Sequence, residues 1–166
     1  MSSTTEIITT TEIIDLAIPL KAGFEPRYLS KWILKAQRQY IRPFLGDDFY
    51  EEITDQVENT TLTADNTALL DNYLKPMLAH YVVYERLPMI NDHISNSGTM
   101  SDFNEFSNAS GNTGKGLVRN QMLADAGNFE EQADQFIKDE QEDDSTKYPL
   151  YGCGERNVNK YGFITY

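Results

Sequence analysis

The chain has 166 residues, 40% of them hydrophobic and 24% charged, with a formal net charge of −12. This is enough for one domain with a real core, and the acidic balance argues against a nucleic-acid binder of the ordinary kind. No apolar run reaches the roughly 18 residues a membrane span needs. The N-terminus lacks a basic stretch followed by an apolar one, so no secretory signal is expected. A single cysteine, Cys153, leaves no internal disulfide and no cysteine-based zinc site, which fits assembly in a reducing cytosol.

Residues 1–22 read as an N-terminal arm rich in Thr and Ile, with TTEII occurring at Thr4–Ile8 and again at Thr10–Ile14. Paired β-branched residues favour extended structure there, while Glu12–Leu16 suits a helical turn. A helical domain is predicted over 23–144. Its first long helix opens near Glu25-Pro26, runs to about Arg42 and carries two opposed faces. Leu29, Trp32, Ile33, Ala36, Tyr40 and Phe44 recur at helical spacing on one side. Arg27, Lys31, Lys35, Arg38 and Arg42 fall within an arc of about 80° on the other. No Asp or Glu lies between Pro26 and Gly46. A purely cationic stripe on an acidic chain suggests a surface that meets something negative; the alternative is an ordinary solvated face.

Pro43 and Gly46 punctuate that helix. Asp47 is the expected N-cap of a second helix running to about Val57, with Asp48, Glu51 and Glu52 suiting the positive end of its dipole. After a polar turn at Asn59–Asn66, a third helix is predicted to about Leu87, capped by Thr63 or Asp65. Its centre, Met77–Tyr84, has no formal charge and reads as buried, while Pro76 predicts a kink or a break near Leu74. Residues 91–116, rich in Asn, Ser and Gly, read as a long loop. A fourth helix follows from Leu117 to about Glu142, weakened by Gly127 and strongly acidic in its second half, with Glu130, Glu131, Asp134 and the run Asp139–Asp144. Residues 145–166 read as a C-terminal docking arm. Tyr148, Tyr151, Tyr161, Phe163 and Tyr166 are aromatics of the kind enriched at interfaces.

No pattern for catalysis, metal or cofactor binding emerges. GNTGKG at Gly111–Gly116 departs from the phosphate loop: Ala109 stands in place of the first glycine, and Gly116 in place of the hydroxyl residue. His80 and His93 lack the spacing of a helical metal pair. The Asp47, Asp48, Glu51 and Glu52 carboxylates are explained by a helix start. There is no nucleophile elbow and no EF-hand loop. The chain reads as an all-α bundle of about four helices with extended arms, and as a non-enzyme without cofactor.

Three stretches in order carry a resemblance. They are YLSKWILKAQRQYIRPFLGDDFYEEI at Tyr28–Ile53, LLDNYLKPMLAHYVVYERLPMI at Leu69–Ile90 and NSG at Asn96–Gly98, followed by a long polar helix. Over Phe24–Gly98 the chain resembles the small helical head-to-tail connector proteins of tailed bacteriophages, also called adaptor, ring or head-completion proteins. It is most similar to those of phages infecting gut Bacteroidetes, including crAss-like phages. The resemblance implies a structural virion protein at the neck, made in the host cytoplasm. It further implies a twelve-fold homo-oligomeric ring stacked on the portal protein, bound to other ring or tail proteins, with DNA passing through the lumen without specific binding. No membrane is involved. An acidic lumen suits such passage, since it avoids the counterion-release affinity of basic grooves. Within this expectation, Arg27, Lys31, Lys35, Arg38 and Arg42 meet Glu130–Asp144 of an adjacent subunit, and Tyr161–Tyr166 adds as a strand to a partner. The alternative is a small adaptor that binds one protein through its basic helix face.

Overall fold

The computed structural model describes residues 5–17, 27–86, 92–95, 98–101 and 112–152, with side chains at 5–17, 29–86 and 116–152. The fold is all-α. Helix α1 (Thr10–Ala17) is followed by a long rod made of α2 (Arg27–Ala36), a π-helical turn (Gln37–Ile41) and α3 (Arg42–Leu45). Helix α4 (Asp47–Asn59) follows. A second composite rod joins α5 (Ala64–Leu69), a π-turn (Leu70–Leu74) and α6 (Lys75–Arg86). A short hairpin, β1 (Asp92–Ser95) with β2 (Gly98–Ser101), precedes α7 (Asn112–Asp143).

Both π-turns have one cause. Proline has no N–H, and its ring collides with the carbonyl four residues back in a regular helix. Pro43 and Pro76 each stand two residues after a π-turn. The residue before each proline reaches five back instead of four: Arg42 N–H donates to the Gln37 carbonyl, and Lys75 N–H to the Leu70 carbonyl. Widening the turn moves the offending carbonyl aside without breaking the rod. The kink or break expected at Pro76 is thus a π-turn, and the same device serves Pro43. Each adds one residue to a turn and shifts the downstream faces by about 100°. The buried pairs Ala36/Gln37, Tyr40/Ile41 and Phe44/Leu45 accordingly recur every four residues rather than every 3.6.

Helix α6 is the centre. Every residue from Pro76 to Val83 is buried, as the uncharged run implies, and α1, α2 and α7 pack around it. His80 is a core residue whose Nδ1 donates to the Pro76 carbonyl at 2.7 Å while its ring meets Phe129. Helix α7 approaches through Ala126, Ala133 and Ile137, all fully buried, with Met122, Leu123, Phe129 and Phe136 partly covered beside them.

Gly46 ends α3 and starts α4. Its φ of +85° and ψ of 160° lie in a region open to glycine almost alone. The N-cap is therefore Gly46, not Asp47. Asp47 enters the first turn, and its carboxylate takes the Arg42 guanidinium at 2.7 Å. Thr63 caps α5 through its hydroxyl, which accepts from Asn66 N–H at 3.1 Å.

Residues 91–116 differ from the loop expected. Asp92–Ser95 pairs antiparallel with Gly98–Ser101, Ile94 opposite Thr99, and α7 already begins at Asn112. The N-terminal arm also contributes to the core. Ile7, Ile8, Ile13 and Ala17 are all buried. The two TTEII copies take different forms: in the first, Ile7 and Ile8 lie in a bend, while the second is part of α1. A reciprocal capping box decides it: Glu12 N–H donates to Thr9 Oγ1 at 3.2 Å, and Thr9 N–H to Glu12 Oε2 at 2.8 Å.

Candidate functional site

The cationic stripe of α2 divides in three dimensions. Lys35 Nζ donates to Glu85 Oε2 on α6 at 2.5 Å and also lies 4.7 Å from the Trp32 ring centroid. Arg42, past the π-turn, rotates out of the stripe toward Asp47. Lys31 and Arg38 are exposed. The side chain of Arg27 lies outside those described.

Glu85 gathers this region. Its Oε1 accepts from the Tyr40 hydroxyl at 2.5 Å, and from Gln39 at 3.5 Å. Burial pulls the carboxyl upward, but hydrogen bonds from Lys35 and Tyr40 outweigh it and hold Glu85 below its ordinary value. Tyr40 stacks on Tyr81 with ring centroids 3.9 Å apart and an interplanar angle of 1°. Tyr81 donates to Glu130 Oε2 on α7 at 3.0 Å. Two stacked phenols and two carboxylates thus tie α2, α6 and α7 together. On α7, the Arg119 guanidinium lies 4.1 Å from the Tyr84 ring centroid. Lys31, Lys35, Arg38, Arg86 and Arg119 consequently share one end of the bundle with Trp32 and Tyr84.

The acidic residues sit elsewhere. Arg119 and Asp139 are separated by about 30 Å along the same helix at 1.5 Å per residue. No basic residue lies between Arg119 and Lys138. Glu131, Asp139, Glu142 and Asp143 are exposed on the far half of α7. Asp47, Asp48, Glu51 and Asp55 on α4 are exposed too, and α4 reaches the same end through Phe49, whose ring meets Tyr148 and Tyr151. Among the described residues the net charge is therefore sorted, basic at one end and acidic at the other, where Arg42, Lys138 and Lys147 are each paired with a carboxylate.

Not every expected acidic residue belongs to that surface. Glu130 lies on the packing seam, four residues after Ala126 and three before Ala133, and is satisfied by Tyr81. Asp134 accepts from Lys138 at 2.6 Å and from the Tyr151 hydroxyl at 2.6 Å. Glu140 pairs with Lys147.

Tyr148 and Tyr151, expected in the docking arm, are buried in the chain's own core at 4% and 8% exposure. Tyr148 adopts φ +47°, donates to the Asp65 carbonyl at 2.8 Å and packs against Phe49 and Phe136. Burial pushes its hydroxyl pKa well up. These rings close the acidic end of the bundle, so neither is free for a partner. Tyr161, Phe163, Tyr166 and Cys153 lie outside the described residues.

One residue that sequence reasoning missed is Gln37. Fully buried on the first π-turn, it accepts from Ile7 N–H at 3.1 Å and donates to the Thr5 carbonyl at 2.9 Å and to the Tyr50 hydroxyl at 2.7 Å. Being polar, it belonged to neither stripe. Its position beside Ala36, four residues before Ile41, was the signal.

Among the described residues no group of three or more His, Cys, Asp or Glu is placed to hold a metal ion, and no helix is long and apolar enough to cross a membrane. No curated protein and no solved structure matches the chain. Residues 41–160 do match a known sequence family, and the chain belongs to that family, one of unknown function (DUF6712).

Proposed function

We propose that the chain is a structural subunit of a ring between the portal and the tail of a tailed bacteriophage, a conduit for DNA and a platform for tail components. The observation that carries this reading is the sorting of charge along the bundle. A body that is basic at one end and acidic at the other makes head-to-tail contacts with copies of itself. Such heterologous contacts close into a ring when the rotation between copies allows. The resemblance over Phe24–Gly98 supports a position for that ring at the neck. The acidic surface suits DNA that passes without being gripped.

Exposed ion pairs contribute up to about 1 kcal/mol each, so charge sets register while other contacts supply affinity. Native mass spectrometry of the full chain, alone and with a portal protein, tests the reading. A closed oligomer, formed alone or on the portal and loosened by added salt, is expected. Substituting Lys31→Glu, which touches no described intrachain ion pair, weakens that oligomer. A monomer that ignores the portal overturns the reading.

A further inference from the structure

Helices α6 and α7 run antiparallel, and their seam can be followed ring by ring. Tyr73 stacks on Phe136, His80 meets Phe129, and the Arg119 guanidinium lies 4.1 Å from the Tyr84 ring centroid. Arg119 stands two helical turns before Ala126 and four before Ala133. It therefore holds the place on α7 that buried alanines fill where the seam is closed. An arginine is tolerated there because its planar head stacks on the Tyr84 ring.

That stacking leaves the donors of the head unused. Among the described residues Arg119 makes no hydrogen bond and no ion pair. Its Nε is closed off from solvent without an acceptor, a costly state for a charged group. The carboxylate nearby is already occupied: Glu85 accepts from Lys35, Tyr40 and Gln39. The two Nη atoms are not enclosed in this way. They present parallel N–H donors of the kind that fit the two oxygens of a carboxylate or a phosphate.

The other end of the same helix has the opposite deficit. Glu142 and Asp143 are exposed in the last turn of α7, which contains no basic residue. Among the described residues neither makes a hydrogen bond or an ion pair. Asp134, Asp139 and Glu140, by contrast, are held by Lys138, Gln135 and Lys147. Negative charge at this point opposes the helix dipole, so an added cation gains from the carboxylates and from the dipole together. Arg119 and Glu142 lie about 35 Å apart along one helix and cannot meet within the chain. A donor fork near the start of α7 and free carboxylates at its end are complementary halves of a contact between two copies.

We propose that the Nη edge of Arg119 in one copy receives the carboxylates of Glu142 and Asp143 from the next. The contact is heterologous, head to tail along α7. It rests on the self-association proposed above and adds the residues at which copies engage, with no particular ring size required.

Two full-length variants test it. Arg119→Met removes the donors and keeps an unbranched side chain against Tyr84. Glu142→Lys with Asp143→Lys reverses the charge of the last turn. Because Nε has no acceptor to lose, Arg119→Met leaves the melting temperature in high salt, where copies separate, unchanged or raised. Each variant is expected to self-associate about tenfold more weakly than the wild type, alone or on a portal protein, as read by analytical ultracentrifugation. Mixed with distinguishable tags, the two variants retain one intact head and one intact tail between them. Native mass spectrometry should then show pairs carrying both tags outnumbering pairs of either variant alone. A wild-type oligomer that neither substitution weakens overturns this contact and leaves the ring standing. A wild-type chain that stays monomeric, with and without a portal protein, overturns both. A DNA duplex retained by the wild type and lost by Arg119→Met, with assembly unaltered, also overturns the contact and assigns the fork to phosphate.

Discussion

Replacing Gln37 by leucine tests how the N-terminal segment is held. Leucine nearly matches glutamine in shape and removes all three hydrogen bonds of the amide. The Ile7 N–H is left in a buried position, at a cost of about 1–3 kcal/mol for an unsatisfied group. Thr5 is only half-buried, so its carbonyl recovers water and loses roughly 0.5–1.5 kcal/mol. The Tyr50 hydroxyl keeps its own donor capacity but loses one bond of similar size. Leucine also spares the desolvation of an amide, which offsets part of the total. The net expectation is a loss of about 2–4 kcal/mol. For a chain of this size that lowers the melting temperature by roughly 5–15 °C. Thermal denaturation followed by circular dichroism measures it, and hydrogen exchange locates it. Protection should fall first at Ile7, Ile8 and α1, ahead of α6. An unchanged melting temperature with Ile7 still protected would refute the idea that Gln37 anchors the segment.

Gly127 lies inside α7, and a Cβ added there meets nothing within 4 Å. Gly127→Ala should therefore stabilise by about 0.5–1 kcal/mol, read as a higher urea midpoint. Gly46→Ala meets open space as well but must hold φ +85°, so it should cost about 1–3 kcal/mol; equal effects of the two alanines would contradict the backbone argument. Glu85 is depressed in the folded chain by Lys35 and Tyr40 against the pull of burial. A depressed carboxylate contributes stability that is present above its unfolded pKa, near 4.5, and lost as pH falls through the lower folded value. Glu85→Gln should flatten the acid limb of the stability–pH curve below that point; an unaltered limb places the titrating group elsewhere. Lys147 is raised, first by its hydrogen bond to Glu140. Its share is present below an unfolded pKa near 10.5 and lost as pH rises through the higher folded value. Lys147→Met should lessen the loss of stability in that alkaline range, to which Lys75, raised against the pull of burial by Asp71 and Glu12, also contributes; an unaltered alkaline limb would contradict the pairing.

The helices and their central member were legible because burial leaves a periodic trace. Leu29, Ile33, Ala36 and Tyr40 mark one face, and the uncharged run Met77–Tyr84 marks a helix surrounded by others. The π-turns were not legible as such. A proline announces that a regular helix fails, not how the backbone will absorb the failure. The four-residue spacing that reveals the answer was masked by a polar residue, Gln37, in a core position. Aromatic composition misled at Tyr148 and Tyr151, because tyrosine suits cores and interfaces alike when its hydroxyl finds an acceptor. Here the acceptors are the Asp65 carbonyl and the Asp134 carboxylate, far away in sequence. Glu130 misled for the converse reason. A carboxylate on a packing seam is tolerable only because Tyr81 arrives from another helix. The separation of charge into two ends needed the fold, since Lys35, Arg86 and Arg119 come from three elements.

Each π-turn holds one residue more than the α-turn it replaces, and the proline two places on is what keeps it open. Delete one residue between Gln37 and Ile41, replace Pro43 by alanine, and the rod closes into a regular helix. Leu29 and Leu45 would still point where they point now. What the fold conserves along this rod is rotation, not residue count. A related chain without Pro43 can thus be one residue shorter here and present the same core, and the same holds at Leu70–Leu74 and Pro76. Aligning such chains without a gap would put every position beyond the turn one residue out of register, about 100° around the helix.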